Sequence, residues 1–294
     1  MRWALIGVVA LALVMRVALL AATPHFTPIY DAAEYHGLAR SIAHDGGYPP
    51  SFFAKVGTAS ATRPPAYPYL LGATYAVAGD SFTSARVLGA LLGTATVGLI
   101  VLIALRLWGR RPALAAGLLA ALYPPFVLAD APVSEALFVP MVLALVLLMV
   151  SRPQPSGRAA VGTAAGVGAL VGLAALTRSN GLALLLPASV WVWQTGLPRR
   201  RRLLLGLVVV ATTVVVLSPW LVRNAREFDA FVLISTQDGS NLAGTYNATA
   251  ARHGPLRGVW IPPALLPEFQ PLIRSRFDEE QINSRLRSAG LHYI

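Results

Sequence analysis

The residues able to do chemistry gather at a few places in this chain. The first acidic residues are Asp31 and Glu34, which on a helix lie one turn apart and share a face. A carboxylate at the edge of an apolar segment can take a proton from a hydroxyl, the work of a general base. The plainer reading of Asp31 is a helix N-cap, and that of Glu34 is a solvated side chain. Glu135 opens an apolar run and Asp130 lies just before it; an acid there is favoured by the helix dipole and costly if buried. Either could orient an arginine or a substrate hydroxyl. Arg63, Arg178 and Arg223 stand where polar sequence meets apolar sequence. Guanidinium binds phosphate bidentately, and the competing use is to anchor a helix end at an interface. His25, His36, His44, His253 and His292 show no ligand spacing with acids beyond Glu34 with His36 and His44 with Asp45. No metal site is assigned, although a divalent cation is compatible with the sequence. Cysteine is absent, which excludes disulfides and Cys-ligated metals.

What must position these groups is membrane-embedded helix. Of 294 residues 55% are hydrophobic and 13% charged, with mean hydropathy +0.60, where a soluble domain carries roughly a quarter charged residues. Runs of about 20 apolar residues cross a bilayer. Seven candidates follow: Trp3–Ala22, Phe82–Trp108, Pro112–Leu128, Glu135–Val150, Ala159–Leu176, Gly181–Leu197 and Leu203–Val222. The first is read as an uncleaved helix, since it is longer than a signal-peptide core and further spans follow. Several are rich in Gly and Ala, as suits close packing in lipid.

The net charge of +11 raises nucleic acid as a partner. The placement of the arginines answers otherwise. With the N-terminus inside, the cytoplasmic positions hold Arg2, Arg106, Arg110, Arg111, Arg152, Arg158 and the run Arg199–Arg202, with no acidic residue among them. That is the positive-inside pattern, and it puts all 13 acidic residues outside or at the outer boundary. The expectation is an all-α polytopic protein of the cell membrane, N-terminus cytoplasmic and contacting membrane lipids, not nucleic acid. Residues 1–222 form the transmembrane part, with a first outer loop over 23–80, and 223–294 form an outer segment.

Within the first outer loop, Tyr35, Leu38, Ala39 and Ile42 recur at helical spacing and predict an interfacial helix over Asp31–His44, ended by Gly46-Gly47. Leu70–Ala78 is apolar but too short to span, and is read as packing on the bundle. Arg274–Tyr293 reads as a charged helix with Phe277, Ile282, Leu286 and Leu291 at its apolar positions. Arg16 and Arg86 lie in apolar runs, where an arginine either snorkels outward or meets an anion; snorkelling is the commoner outcome.

Several stretches taken in order resemble a known family. They are Tyr30-Asp31 with Tyr35 and Leu38-Ala39, Arg63-Pro64-Pro65-Ala66-Tyr67-Pro68, Ser134-Glu135-Ala136-Leu137-Phe138, Leu176-Thr177-Arg178 with Gly181-Leu182, and Pro219-Trp220-Leu221-Val222-Arg223-Asn224 continued by Ser235-Thr236, Gly239 and Asn241-Leu242. Together the chain resembles the GT-C fold membrane glycosyltransferases, in the bacterial branch related to protein O-mannosyltransferases and the lipid A aminoarabinose transferase (glycosyltransferase family 39-like). The resemblance implies a GT-C-like module that moves a sugar from a polyprenyl-phosphate donor to a lipid, protein or glycan acceptor on the outer face, with inversion. It implies Asp31 as the catalytic acid, with Glu34 as a stand-in for the second acid that many relatives carry directly beside it, where this chain has Ala32. It implies Arg178, Arg223 and Arg63 as donor-phosphate ligands, supported by Glu135 and Asp130. The arginine placement puts Asp31 on the outer side, beside Arg178, Arg223 and Glu135. Relatives continue into further spans, so the chain reads as a fragment or truncated product. The competing classes are a transporter or lipid flippase, whose polar sites sit near the bilayer midplane, and an inactive truncated homologue.

Overall fold

A computed structural model describes residues 2–27, 29–51, 54–55, 57–128, 133–151, 157–251, 258–275 and 277–294. Among these there is no strand, and the protein is an all-α polytopic membrane protein. The chain forms two compact units, residues 1–47 with 66–218, and residues 48–65 with 219–294.

The first unit holds α1 (Arg2–Ala22), α2 (Asp31–Asp45), α3 (Ala66–Ala78), α4 (Phe82–Trp108), α5 (Arg110–Leu122), α6 (Pro124–Leu128), α7 (Glu135–Ser151), α8 (Gly157–Thr177), α9 (Leu185–Gln194) and most of α10 (Arg199–Glu227). Side-chain contacts set the direction of each helix. The Arg86 guanidinium at the start of α4 donates to the Thr23 carbonyl just after α1 at 2.7 Å, and further along α4 Gly93 lies against Arg16, so α1 and α4 are antiparallel. Arg106 near the end of α4 donates to the Ser151 carbonyl at the end of α7 at 3.1 Å, so these two helices end together. Helices α8 and α10 run in the same direction. The Thr213 hydroxyl bonds the Gly168 carbonyl at 3.0 Å, and a Cβ added at Gly172 would sit 2.8 Å from Val216. Glycines at 168 and 172 thus allow the close approach that packs helices in lipid. Arg106, Arg158 and Arg199–Arg202 consequently share one end of the unit, while Glu135 and Arg178 lie at the other.

Among the described residues four helices are long and apolar enough to cross a membrane, covering Trp3–Ala22, Phe82–Trp108, Arg158–Thr177 and Arg199–Glu227; Glu135–Ser151 is a shorter apolar helix. The expected third segment is broken at Tyr123, whose extended backbone precedes Pro124-Pro125 and splits α5 from α6. The expected sixth begins as a 3-10 turn over Ser179–Leu184 and becomes helical only in α9. Gly181 there touches the backbone of Ala174, where a Cβ would come within 2.6 Å.

Helix α2 starts at Asp31 as expected and is capped by Gly46 in the left-handed conformation, φ 73°. It buries Tyr35, Leu38, Ala39 and Ile42, and Tyr35 meets Tyr67 of α3 edge-on with centroids 5.2 Å apart. His36 Nδ1 lies 2.7 Å from the Tyr75 hydroxyl, and burial lowers the His36 pKa. Arg16 and Arg86 correct the snorkelling expectation, for both are buried, at 2% and 5% exposure. Arg16 donates to the carbonyls of Ala12 and Phe126, each at 2.9 Å. These carbonyl oxygens supply the charge complement that water would give at the surface.

The second unit contains α11 (Asp238–Thr245), α12 (Ala248–Ala251), α13 (Gln270–Ile273) and α14 (Glu279–His292). Its core joins Ala243, Leu266, Phe269, Ile282 and Leu286. Asp278 caps α14 in a reciprocal box with Gln281, which starts the helix five residues later than the charge pattern suggests. Leu291, read as an apolar position, is 56% exposed.

Candidate active site

In the first unit, Asp31 is the first helical residue of α2. The N-cap position belongs to Tyr30, which offers no side-chain cap and has φ 52°, ψ −128°. That region costs a side-chain-bearing residue about 1–3 kcal/mol and is found mostly where a structure holds a functional group in place. Asp31 itself is exposed and Glu34 half-buried. Glu135 begins α7, and its carboxylate forms an ion pair with Arg178, the residue that follows α8. Both side chains remain accessible, at 52% and 38%. Asp130, the other supporting acid expected from sequence, lies outside the described residues.

In the second unit, Arg223 lies in the last turns of α10 among aromatic rings. Its guanidinium is 4.8 Å from the Trp220 ring centre, 5.6 Å from Tyr48 and 5.8 Å from Phe228. Its Nη1 donates to the Ser60 carbonyl at 2.7 Å and to Asn224 Oδ1 at 3.0 Å. Tyr48, stacked edge-on to Trp220, donates its hydroxyl to the Arg63 carbonyl at 2.8 Å. Arg63 and Arg223, 160 positions apart in sequence, are therefore held on one aromatic and backbone framework. Asn224 is buried and donates to the Val232 carbonyl at 3.1 Å, while the Trp220 indole donates to the Ile234 carbonyl at 2.7 Å. These bonds fold residues 232–234 back on the end of α10.

Glu279 is the participant that sequence reasoning missed. It is 1% exposed, and its carboxylate accepts the Ala61 N–H at 2.7 Å and the hydroxyls of Thr62 at 2.9 Å and Thr236 at 2.5 Å. A buried acid is tolerated when its oxygens are satisfied in this way. The available signal was the spacing of Glu279, Ile282 and Leu286 on one helical face, once Asp278 is recognised as the cap.

Among the described residues no group of three or more His, Asp or Glu is placed to hold a metal. A family model for dolichyl-phosphate-mannose-protein mannosyltransferase matches residues 62–222, beginning one residue before Arg63 and ending one before Arg223. The chain belongs to the dolichyl-phosphate-mannose-protein mannosyltransferase family. No curated protein and no solved structure matches it. Membership makes the chain a member of a membrane glycosyltransferase family whose reaction draws on a polyprenyl-phosphate-linked sugar. The matched stretch contains Arg63, Glu135 and Arg178, and Asp31 and Arg223 lie outside it.

Proposed function

We propose that this protein transfers a sugar from a polyprenyl-phosphate donor to an acceptor at the outer face of the cell membrane, inverting the anomeric carbon. The observation that carries the reading is the framework on which Tyr48 and Ser60 hold Arg63 and Arg223, at the two edges of the family-matched stretch. The leaving group of such a transfer is a lipid phosphate, and guanidinium groups are suited to its developing charge. Arg223 keeps its plane fixed by stacking, which lowers the entropy lost on binding phosphate. Asp31 is the proposed general base, accepting the acceptor hydroxyl proton as oxygen attacks the anomeric carbon and the bond to phosphate oxygen breaks. Glu34 is its supporting acid, and Glu135 holds Arg178 as a further phosphate ligand, with Asp130 assigned to the same support.

The outer-face assignment follows from the arginine-rich end of the first unit, read as cytoplasmic; Glu135 and Arg178 lie at the opposite end. Seven crossings in all, an outer segment from residue 223 and a cell-membrane location complete the proposal. The test is transfer of radiolabelled sugar from polyprenyl-phosphate donors by membranes carrying the full chain. Wild type is expected to transfer, and Asp31→Asn to lose about 10²–10⁴-fold in rate, the usual worth of a positioned base. Equal rates would remove Asp31 from the reaction, and no transfer by wild type from any such donor would overturn the enzyme reading.

A further inference from the structure

The arginine-rich end of the first unit carries a cleft that the proposed reaction does not use. Its volume is about 240 Å³, and Arg158 near the start of α8 and Arg201 in the first turn of α10 face into it. Ala160 and Leu205, both buried, form part of its floor, while Val161 and Leu204 form walls that are 41% and 51% exposed. Because α8 and α10 run in the same direction, both helix starts point their positive dipole ends toward this region. Neither arginine makes an ion pair among the described residues. Nor does the neighbouring sequence offer one, since no acidic residue occurs between Glu135 and Glu227. Two guanidinium groups at a membrane boundary without a local counter-anion call for one from outside the chain.

We propose that this cleft seats the phosphate of an anionic bilayer phospholipid, with the acyl chains running along Val161 and Leu204. Size supports a headgroup rather than a whole molecule, because pockets that enclose a drug-sized ligand span about 300–1,000 Å³. The exposed aliphatic walls continue into the lipid-facing surface, so the chains stay in the bilayer while the phosphate meets Arg158 and Arg201. Basic pockets between membrane helices recognise phospholipid headgroups by this combination.

The experiment is native mass spectrometry of the full chain in detergent, titrated with phosphatidylglycerol, phosphatidylcholine or inorganic phosphate. Phosphatidylglycerol is expected to bind saturably, and the Arg158→Gln/Arg201→Gln double variant to bind about tenfold or more weakly. Arg110→Gln/Arg111→Gln removes the same charge from the same end but not from the cleft, and is expected to bind as wild type. Leu204→Trp keeps both arginines while filling the apolar wall, and is expected to weaken binding as well. Equal losses in the two double variants would reduce the effect to general charge and overturn the site. Equal binding of phosphatidylcholine, or full displacement by inorganic phosphate, would overturn the anionic lipid as occupant.

Discussion

The Glu279 carboxylate accepts the Thr62 hydroxyl at 2.9 Å across 217 positions of sequence. The residue next to Thr62 is Arg63, and the other Glu279 partners are the Ala61 N–H and the Thr236 hydroxyl. One buried acid therefore ties the start of α14 to both loops around the Arg63–Arg223 framework. Glu279→Ala leaves three buried donors unsatisfied and is expected to destabilise the chain by about 2–4 kcal/mol. Glu279→Gln, which keeps one acceptor oxygen, is expected to lose less. Hydrogen exchange at residues 58–63 reads this directly, and unchanged protection in the alanine variant would refute the tie.

Arg223 is held by three rings and two acceptors, a geometry that a lysine cannot reproduce. Arg223→Lys keeps the charge but loses the planar stack and the paired donors. The expected outcome is a drop in kcat/KM for the polyprenyl-phosphate donor of about tenfold to a hundredfold. A lysine variant as active as wild type would mean that charge alone matters at this position.

The Glu135–Arg178 pair allows stability and function to be separated. Both side chains are partly exposed, so the pair is worth at most about 1 kcal/mol. Glu135→Gln is expected to leave thermal unfolding almost unmoved while slowing sugar transfer, because Arg178 loses the group that orients it. If transfer and unfolding both stay at wild-type values, the pair is an interface anchor and nothing more.

Gly93 makes room for a buried charge. A Cβ there would come within 2.5 Å of Arg16 Nε, and Arg16 cannot retreat because it is bonded to two carbonyls. Gly93→Ala is expected to cost about 1–3 kcal/mol through overpacking. In an Arg16→Met background the same substitution should cost far less, since the clash is gone. Additive losses in that double-variant cycle would show that the crowding at Gly93 comes from elsewhere.

The sequence by itself determined the membrane class, the long apolar helices and a helix starting at Asp31. It also pointed to the sorting of basic residues to one end, which the helix directions reproduce. These features depend on hydropathy and on 3.6-residue periodicity, which are local and survive without knowledge of the fold. The capping box at Asp278 is equally local, but the charged residues before it continue the helical pattern back to Arg274 and hide the true start of α14. Tertiary structure alone decided that Arg16 finds the Phe126 carbonyl 110 positions away, that Glu135 meets Arg178, and that Glu279 is buried. Each depends on which partner groups distant segments bring together, and a buried charge is stable only where such groups reach it.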